Sequence, residues 1–400
     1  MLFPLLFLSH AMTTLEVGDG HTYTRVEDAV AAASPGDEID VYPRQSGYSG
    51  TAVRVKTSGL KIIGIGKGVR LDGGSFEYSG QGSVPRAIFQ VEPNADRVVI
   101  QNLELTGAHN KSFNGAGVRI NAAKNCSVLE CEIHDCDMGI MSAGIEGDPH
   151  AGENQLIDHC HIHHNGNTGD PGYNHNLYLG GTSVTLRFCQ IDHSLTGHNL
   201  KSRAHFTLVQ HCEIFSASSR ECDFVDSWDT KRPDSNVVLL GNVINKDPDC
   251  TGNKGVINFG QESGQRDGTI YLLYNTINTP FHSAVLSLTS ATAKAVLVNN
   301  LIENVKEAHP VLVSVDSSSS LTAVTGTCNV ISPGYDVTGT KIDPTTLYTD
   351  TRTGPSRLPY LPVAARYTDG DGARQPARPT HRHSKEGWVK IKNQAIGAGE

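Results

Sequence analysis

Aromatic residues, long hydrophobic runs and an excess of basic charge are all scarce in this chain of 400 residues. Aromatic residues make up 6%, and 33 Lys and Arg residues face 42 Asp and Glu residues, for a formal net charge of −9. This acidic balance argues against a general nucleic-acid binder, so we expect no nucleic-acid partner. No apolar run reaches the roughly 18 residues that predict a membrane span. An apolar content of 38% without Gly-X-Y or heptad order excludes collagen, coiled coil and disorder.

Glycine and cysteine, in contrast, are present in numbers that restrict the fold. The 41 glycines predict a chain rich in turns. The nine cysteines cannot all pair, so a complete disulfide framework is not expected. These features indicate a turn-rich, all-β protein that is long enough to bury one large core.

One short pattern recurs through the middle of the chain: an apolar strand, one polar or thiol residue, and an isoleucine two positions later. The isoleucines are Ile133, Ile162, Ile191, Ile214, Ile244, Ile277, Ile302 and Ile331. Their spacing averages about 28 residues, which is too short for a propeller blade, and the unit lacks the helix of an ankyrin or leucine-rich repeat. Each unit also contains a second short strand. This organisation indicates a parallel β-helix, in which each coil packs its apolar row on the next coil.

The position two residues before each isoleucine predicts a column of stacked side chains at an inward bend. Its members are Cys131, Cys160, Cys189, Cys212, Asn242, Asn275, Asn300 and Asn329. Stacked asparagines can satisfy their amides along the column, and cysteine can fill the same place as a small buried thiol. Because stacked residues lie about 4.8 Å apart in a line, we expect the thiols to pack and not to form a tetrahedral metal site.

An N-terminal helix is predicted to cover the open end of this solenoid. Thr24 and Glu27 have the spacing of a capping box, and Val26, Ala29 and Val30 share one face of the helix. Residues 37–41 follow as the first predicted strand. Such a helix would protect the exposed edge of the first coil.

The run GDGHTYTRVEDAVAAASPGDEIDVYP, the eight repeats and the closing IGAGE resemble right-handed parallel β-helix proteins of the pectate-lyase-like superfamily. The resemblance implies a single-stranded right-handed parallel β-helix of roughly 9–11 coils, an architecture shared by lyases, hydrolases, epimerases and adhesins. We expect a leader or signal segment over 1–16, a cap helix and first strand over 17–45, the β-helix over 46–345, and an irregular C-terminal cap or tail over 346–400.

A groove is predicted where two coils with short loops lie between coils with long ones. The loops at 144–152, 167–173 and 228–235 would form its walls. Aligning Leu177 with Leu200 places Tyr178 beside Lys201 on the outer face. The other residues expected to line this groove are His175, Asn176, His198, Asn199, Arg203, Tyr173, Trp228 and Arg119.

These residue types suit an acidic, uronate-containing polysaccharide, because Lys and Arg can neutralise carboxylates and aromatic rings can contact sugar rings. β-Elimination on a uronate needs a carboxylate neutraliser, a base for the C5 proton and a donor for the leaving oxygen. We expect Lys201 to be the base, with Arg203 and any nearby imidazolium favouring its neutral amine. A basic residue as proton abstractor is what the resemblance to pectate lyases implies.

The remaining roles are divided among the neighbouring residues. Arg203, Asn176 and Asn199 are expected to hold the uronate carboxylate. Tyr178 or one of the two histidines, His175 or His198, would donate to the leaving group. The calcium cluster of pectate lyases has no clear counterpart. Asp223 and Asp226, with Asp229, could bind Ca²⁺ through their oxygen atoms or could form a solvated acidic patch.

Three other functions stay open at this stage. Asp148-Pro149-His150 is similar to the Asp-Pro-His motif of mannuronan C5-epimerases, although it falls in a wall loop. A glycoside hydrolase would need paired carboxylates, and nothing opposite Asp223 and Asp226 is evident. A non-catalytic carbohydrate-binding or adhesive β-helix would use the same groove without proton transfer.

Histidines and the N-terminus complete the set of expectations. His159, His161 and His163 alternate along one strand and could gather Zn²⁺ or Cu²⁺, but no carboxylate or thiol is evident on the same face, so solvent exposure is expected.

Residues 1–11 are apolar and end in small residues, but lack the positive start of a secretory signal. We expect a monomer that is secreted or periplasmic.

Overall fold

The computed structural model of the protein describes residues 11–169, 172–304, 306, 309–342, 365–377, 379–384 and 387–390. Most of the expected leader and the first and last parts of the expected C-terminal tail lie outside these residues. Three long parallel sheets, here named A, B and C, contain nearly all the strands. The chain visits each sheet once per coil, so consecutive strands of one sheet belong to consecutive coils.

The strands of each sheet follow one another in chain order. Sheet A has 13 strands: Thr14–Val17, Glu38–Val41, Lys61–Gly64, Val99–Gln101, Ser127–Leu129, Gln155–Asp158, Ser183–Arg187, Phe206–Gln210, Val237–Leu240, Gly268–Leu273, Ala293–Val298, Val324–Thr327 and Lys341–Ile342. Sheet B has 11: Tyr48–Ser49, Arg70–Asp72, Glu104–Thr106, Glu132–His134, His161–His163, Gln190–Asp192, Glu213–Phe215, Val243–Asn245, Thr276–Thr279, Leu301–Asn304 and Val330–Ile331. Sheet C has 10: Val53–Val55, Ala87–Val91, Ala116–Asn121, Met138–Ala143, Leu177–Leu179, Leu200–Ser202, Cys222–Val225, Ile257–Gly260, Leu286–Thr289 and Val313–Val315.

The predicted isoleucine column is confirmed residue by residue. Ile133, Ile162 and Ile191 are aligned partners in sheet B, and the alignment continues through the other five isoleucines to Ile331. All eight are buried, because side chains on a strand alternate between the two faces and the inner face of every coil packs on the next. The chain is therefore a right-handed parallel β-helix, and the ten strands of sheet C correspond to ten coils.

Hydrogen bonds run along the bend that precedes sheet B. The side-chain amide of Asn242 donates to the side-chain oxygen of Asn275. Asn275 donates to Asn300 and Asn300 to Asn329 in the same way, at distances of 2.9–3.1 Å. The same amides donate to backbone carbonyls of the preceding coil. The four cysteines of this column are buried free thiols. The bend thus has its polar groups paired inside the solenoid.

A short helix, Val26–Ala32, covers the N-terminal coil and buries Val26, Ala29 and Val30. The predicted capping box is wrong: Arg25 is the N-cap residue, without a side-chain cap, and Glu27 instead accepts a hydrogen bond from the backbone N–H of Ala52 at 2.8 Å. The first strand is Thr14–Val17, which pairs with Glu38–Val41, so the sheet begins inside the segment expected to be a leader.

The C-terminal segment contains two antiparallel hairpins, Ala365–Thr368 with Arg374–Ala377 and His381–Ser384 with Gly387–Lys390. Ala365 and Ala377 pack on apolar side chains of the outer face of sheet A. This part of the expected irregular tail is therefore regular and lies along sheet A, away from the predicted groove on sheet C. Among the described residues, no helix is long and apolar enough to cross a membrane.

Candidate active site on sheet C

Tyr178 and Lys201 are aligned neighbours on the outer face of sheet C, as the spacing of Leu177 and Leu200 predicts. The next partner of Lys201 in this row is Asp223. Leu177 and Leu200 are fully buried, and alternation therefore turns Tyr178 and Lys201 outward. Lys201 is nevertheless largely buried, because neighbouring side chains cover its stem and ammonium group.

The ring of Tyr178 faces two cations. The Lys201 Nζ atom lies 5.6 Å from the ring centroid, and the guanidinium carbon of Arg203 lies 5.3 Å from it. Burial raises the pKa of Tyr178, and this outweighs the opposite effect of the Arg203 charge. Tyr178 is therefore protonated at neutral pH and is able to donate a proton.

A carboxylate that the sequence analysis missed occupies the space between these cations. Glu262 contacts Lys201 at 2.5 Å and also pairs with Arg203. Its loop is held by Asp226, whose carboxylate accepts the backbone N–H groups of Glu262 and Ser263. Burial opposes ionisation of Glu262, but the hydrogen bonds and charges of Lys201 and Arg203 outweigh it and lower the pKa. The site thus binds a carboxylate already.

Asp223 and Asp226 do not fit the Ca²⁺ site considered for them. Asp223 is buried and lies 3.4 Å from His198 Nε2, 3.4 Å from Arg220 and 3.9 Å from Lys201. The carboxylate of Asp226 is used to fix the loop that carries Glu262. Ca²⁺ needs several oxygen ligands that converge on one point, whereas nitrogen groups surround both carboxylates here. We therefore derive no step through calcium.

His175 and His198 stack on successive coils, with ring centroids 5.0 Å apart. Nδ1 of His175 accepts the backbone N–H of His198 at 3.0 Å, and Nδ1 of His198 accepts that of Arg220 at 3.1 Å. Because each Nδ1 is an acceptor, the proton of each neutral ring is on Nε2. In this tautomer, neither ring can act as a base, although Nε2–H can donate.

The two histidines do not supply an imidazolium near Lys201. Burial lowers the pKa of His198 to about 4, and burial with the charges of nearby cations lowers the pKa of His175 well below its usual range. Both rings are therefore neutral at neutral pH. Through the hydrogen bonds that they accept, these rings hold the backbone of the coils that carry Tyr178 and Lys201.

The buried His198 should make the stability of the protein depend on pH. Its pKa is about 4 in the folded state and near 6.5 when unfolded, so the unfolded chain binds more protons in between and stability falls as the pH drops from 6.5 to 4. The variant His198→Gln, whose side-chain oxygen can accept the Arg220 N–H, should lose about 3 kcal/mol less over this range.

Urea unfolding at both ends of that pH range measures this difference. His282→Gln is the matched control, since His282 is exposed, and it should show the pH dependence of the wild type. An identical pH dependence in His198→Gln and the wild type would contradict the assignment.

Asn176 and Asn199 do not line the groove, and the expectation that they face outward is wrong. Both are fully buried. The Asn176 amide nitrogen donates to the Asn199 side-chain oxygen at 2.8 Å, and Asn199 donates to Glu221 at 2.7 Å. Each asparagine precedes its strand and lies at the bend, where the inward–outward alternation of a strand does not apply. They are buried polar residues that pair successive coils.

The three remaining predicted residues lie around the cluster and do not join it. Tyr173 and Trp228 are exposed, at 76% and 48%, in loops on the two sides of sheet C. Arg119 lies on the same outer row, but Met141 separates it from Tyr178. The guanidinium of Arg119 contacts Met141 Sδ and Asn121.

The Asp148-Pro149-His150 motif forms a closed turn in its wall loop. The Asp148 carboxylate accepts the backbone N–H of His150 at 2.9 Å, and the exposed His150 ring contacts Glu153 at 3.3 Å. The side chains of the motif are thus engaged with their own loop.

The sequence matches no protein-family profile and no curated protein. Solved structures are similar to it in fold. A DFA-IIIase from Arthrobacter chlorophenolicus A6, without its lid and in complex with GF2, matches with a TM-score of 0.54 and 15% identity over 78% of this chain and 89% of that one. An alginate lyase from Paenibacillus sp. str. FPU-7 matches with a TM-score of 0.50 and 15% identity over 76% of this chain and 99% of that one. At this identity, the likeness shows the shared β-helix fold.

Proposed function

We propose that the protein is a polysaccharide lyase that cleaves an acidic, uronate-containing glycan by β-elimination on the outer face of sheet C. The observation that carries this proposal is the Glu262 carboxylate bound by Lys201 and Arg203 beside Tyr178. Cations that bind a carboxylate in this way are suited to the carboxylate of a uronate. An alginate lyase among the proteins of similar fold supports the same class of substrate.

The proposed reaction begins when a substrate carboxylate replaces Glu262 on Arg203. C5 of a uronate carries the carboxylate, so its proton then lies close to Lys201. As Glu262 departs, Lys201 gives one ammonium proton to solvent, and the resulting neutral amine takes the C5 proton. The C4–O bond breaks as the C4=C5 double bond forms, and the Tyr178 hydroxyl protonates the leaving oxygen.

Incubation of the purified protein with pectate, alginate, glucuronan and glycosaminoglycans tests this function. Elimination is followed by the ultraviolet absorbance of the unsaturated uronate product. Exchange of the C5 proton with solvent without that absorbance would instead indicate a C5-epimerase, and binding without either would indicate a carbohydrate-binding module. Since such glycans lie outside cells, we also propose that the protein acts as a secreted or periplasmic enzyme.

A glycoside hydrolase is a second candidate, because Glu262 supplies the carboxylate opposite Asp223 that the sequence did not reveal. Both carboxylates contact Lys201 Nζ, at 2.5 and 3.9 Å. Because both distances are measured to the same atom, the two carboxylate oxygens can be separated by no more than the sum of these distances. This is below the upper end of the range for carboxyl pairs of glycosidases, which is roughly 5–9.5 Å. A hydrolase needs one carboxyl group with a raised pKa to act as the acid, but the pKa of Glu262 is lowered. This difference favours elimination.

Replacing Glu262 by Gln should improve substrate binding if Glu262 only competes with the uronate carboxylate. A half-exposed ion pair contributes up to about 1 kcal/mol, so we expect KM for the polyuronate to fall by roughly fivefold with little change in kcat. Steady-state kinetics on Glu262→Gln measure this, with Glu130→Gln as the control, since Glu130 is exposed between sheets A and B and away from the groove. A large loss of kcat would instead place Glu262 in the catalytic machinery, as a hydrolase requires.

A further inference from the structure

A second cluster of reactive side chains lies on the outer face of sheet B, away from the groove on sheet C. Glu132 and His161 are aligned partners on successive coils, and His163 follows His161 on the same strand. Ile133, which follows Glu132, and Ile162, which lies between the two histidines, are fully buried. Alternation therefore turns Glu132, His161 and His163 to the same outer face.

The ligand atoms of the three side chains lie close together, at separations near those found around one metal ion. Glu132 Oε1 lies 3.3 Å from Nε2 of His163, and the two imidazole rings have centroids 4.0 Å apart. One ligand atom of each residue lies within 4.8 Å of the other two. Around a tetrahedral Zn²⁺ with bonds of about 2.0–2.1 Å, ligand atoms are separated by about 3.3 Å. Small side-chain rotations would therefore close the site.

A fourth residue, on the next coil, is placed to orient the cluster. Asp192 is buried, and its carboxylate lies 2.8 Å from Nε2 of His161. A carboxylate that holds a ligating histidine fixes the orientation of the ring and increases its basicity. No carboxylate on this histidine face is evident from the sequence, because Glu132 and Asp192 belong to the preceding and following coils. His159 is not part of the face, since it lies in the turn before the strand with a φ of 53° and stacks on Phe188.

We propose that Glu132, His161 and His163 bind a Zn²⁺ ion, with Asp192 orienting His161 and water completing the coordination. Two imidazoles and a carboxylate are ligands that Zn²⁺ accepts readily. The ion joins the coil of Glu132 to the coil of His161 and holds their register. It stabilises the folded chain in proportion to its free concentration, because the unfolded chain lacks the assembled site.

Calorimetric titration of the metal-free full chain with Zn²⁺ tests this site. We expect one Zn²⁺ per chain and an affinity that falls roughly tenfold or more in Glu132→Gln and His163→Ala. Asp192→Asn should weaken binding by about tenfold, since it keeps the three ligands. His282→Ala, which changes an exposed histidine elsewhere, is the control and should bind as the wild type does.

Substitution with Co²⁺ adds a spectroscopic measurement of the same site. A bound Co²⁺ in a four-coordinate site gives visible absorption, which we expect in the wild type and not in His163→Ala. Glu132→Gln keeps the shape of the side chain, so its effect is separable from loss of folding, which circular dichroism checks. The proposal is overturned if the wild type binds no Zn²⁺, or if its affinity is unchanged in both Glu132→Gln and His163→Ala.

Discussion

Replacing Lys201 by Ala should lower the rate of β-elimination by about 10²–10⁴-fold, the usual contribution of a general base. The loss should fall mainly on kcat, because Arg203 still holds the uronate carboxylate. Lys201→Arg should be almost as slow as Lys201→Ala, since a guanidinium stays charged at neutral pH and cannot accept the proton. The measurement is the initial rate of unsaturated uronate formation at saturating substrate.

The control for this variant is Lys294→Ala, which removes an exposed lysine from sheet A and should leave the rate unchanged. Lys201→Ala leaves the buried Asp223 with His198 and Arg220, so retention of the β-helix is checked by circular dichroism. A rate within about threefold of the wild type for a folded Lys201→Ala protein would exclude Lys201 as the base.

Substitution of Arg266 should lower the stability of the folded protein most. Its side chain is fully buried immediately after the loop that carries Glu262. The guanidinium donates to four backbone carbonyls, those of Ser202, Ala204, Val225 and Ser235. Two of these residues flank Arg203, so Arg266 holds the backbone beneath the Lys201 and Arg203 cations. Burial lowers the pKa of Arg266 to about 9, which still leaves it charged at neutral pH.

Arg266→Met should therefore lower the free energy of unfolding by about 3 kcal/mol, since the variant fills the space but leaves buried carbonyls without donors. Arg266→Lys should recover part of this loss, because an ammonium group can reach some of the carbonyls but lacks the planar fork. Arg187→Met is the matched control: its partly exposed ion pair with Asp158 contributes at most about 1 kcal/mol. Equal urea midpoints for Arg266→Met and the wild type would contradict this role.

The fold was predictable from the sequence because its determinants repeat once per coil. The isoleucine column is set by one buried position per coil, and the pairing of Tyr178 with Lys201 follows from aligning Leu177 with Leu200. These are properties of strands, where burial alternates and each coil lies directly on the previous one. The outer face of a regular coil can therefore be predicted from the inner face.

The parts of the site that escaped prediction depend on bends and loops. Glu262 reaches Lys201 across 61 residues of sequence, and only the conformation of its loop, fixed by Asp226, brings the two together. Asn176 and Asn199 were misplaced because residues at a bend do not follow strand alternation. The surroundings of Asp223 and Asp226 escaped prediction for a related reason: their partners come from other coils and from a loop.

We propose that the cations on sheet C bind a uronate carboxylate and that the glycan is cleaved by elimination. Digestion of a polyuronate in water enriched in oxygen-18, followed by mass spectrometry of the fragments, tests this most directly. Elimination forms a double bond without adding water, so we predict fragments that carry no solvent oxygen and whose new non-reducing ends lack the mass of one water. Incorporation of one oxygen-18 atom per cleavage would show hydrolysis and contradict the account.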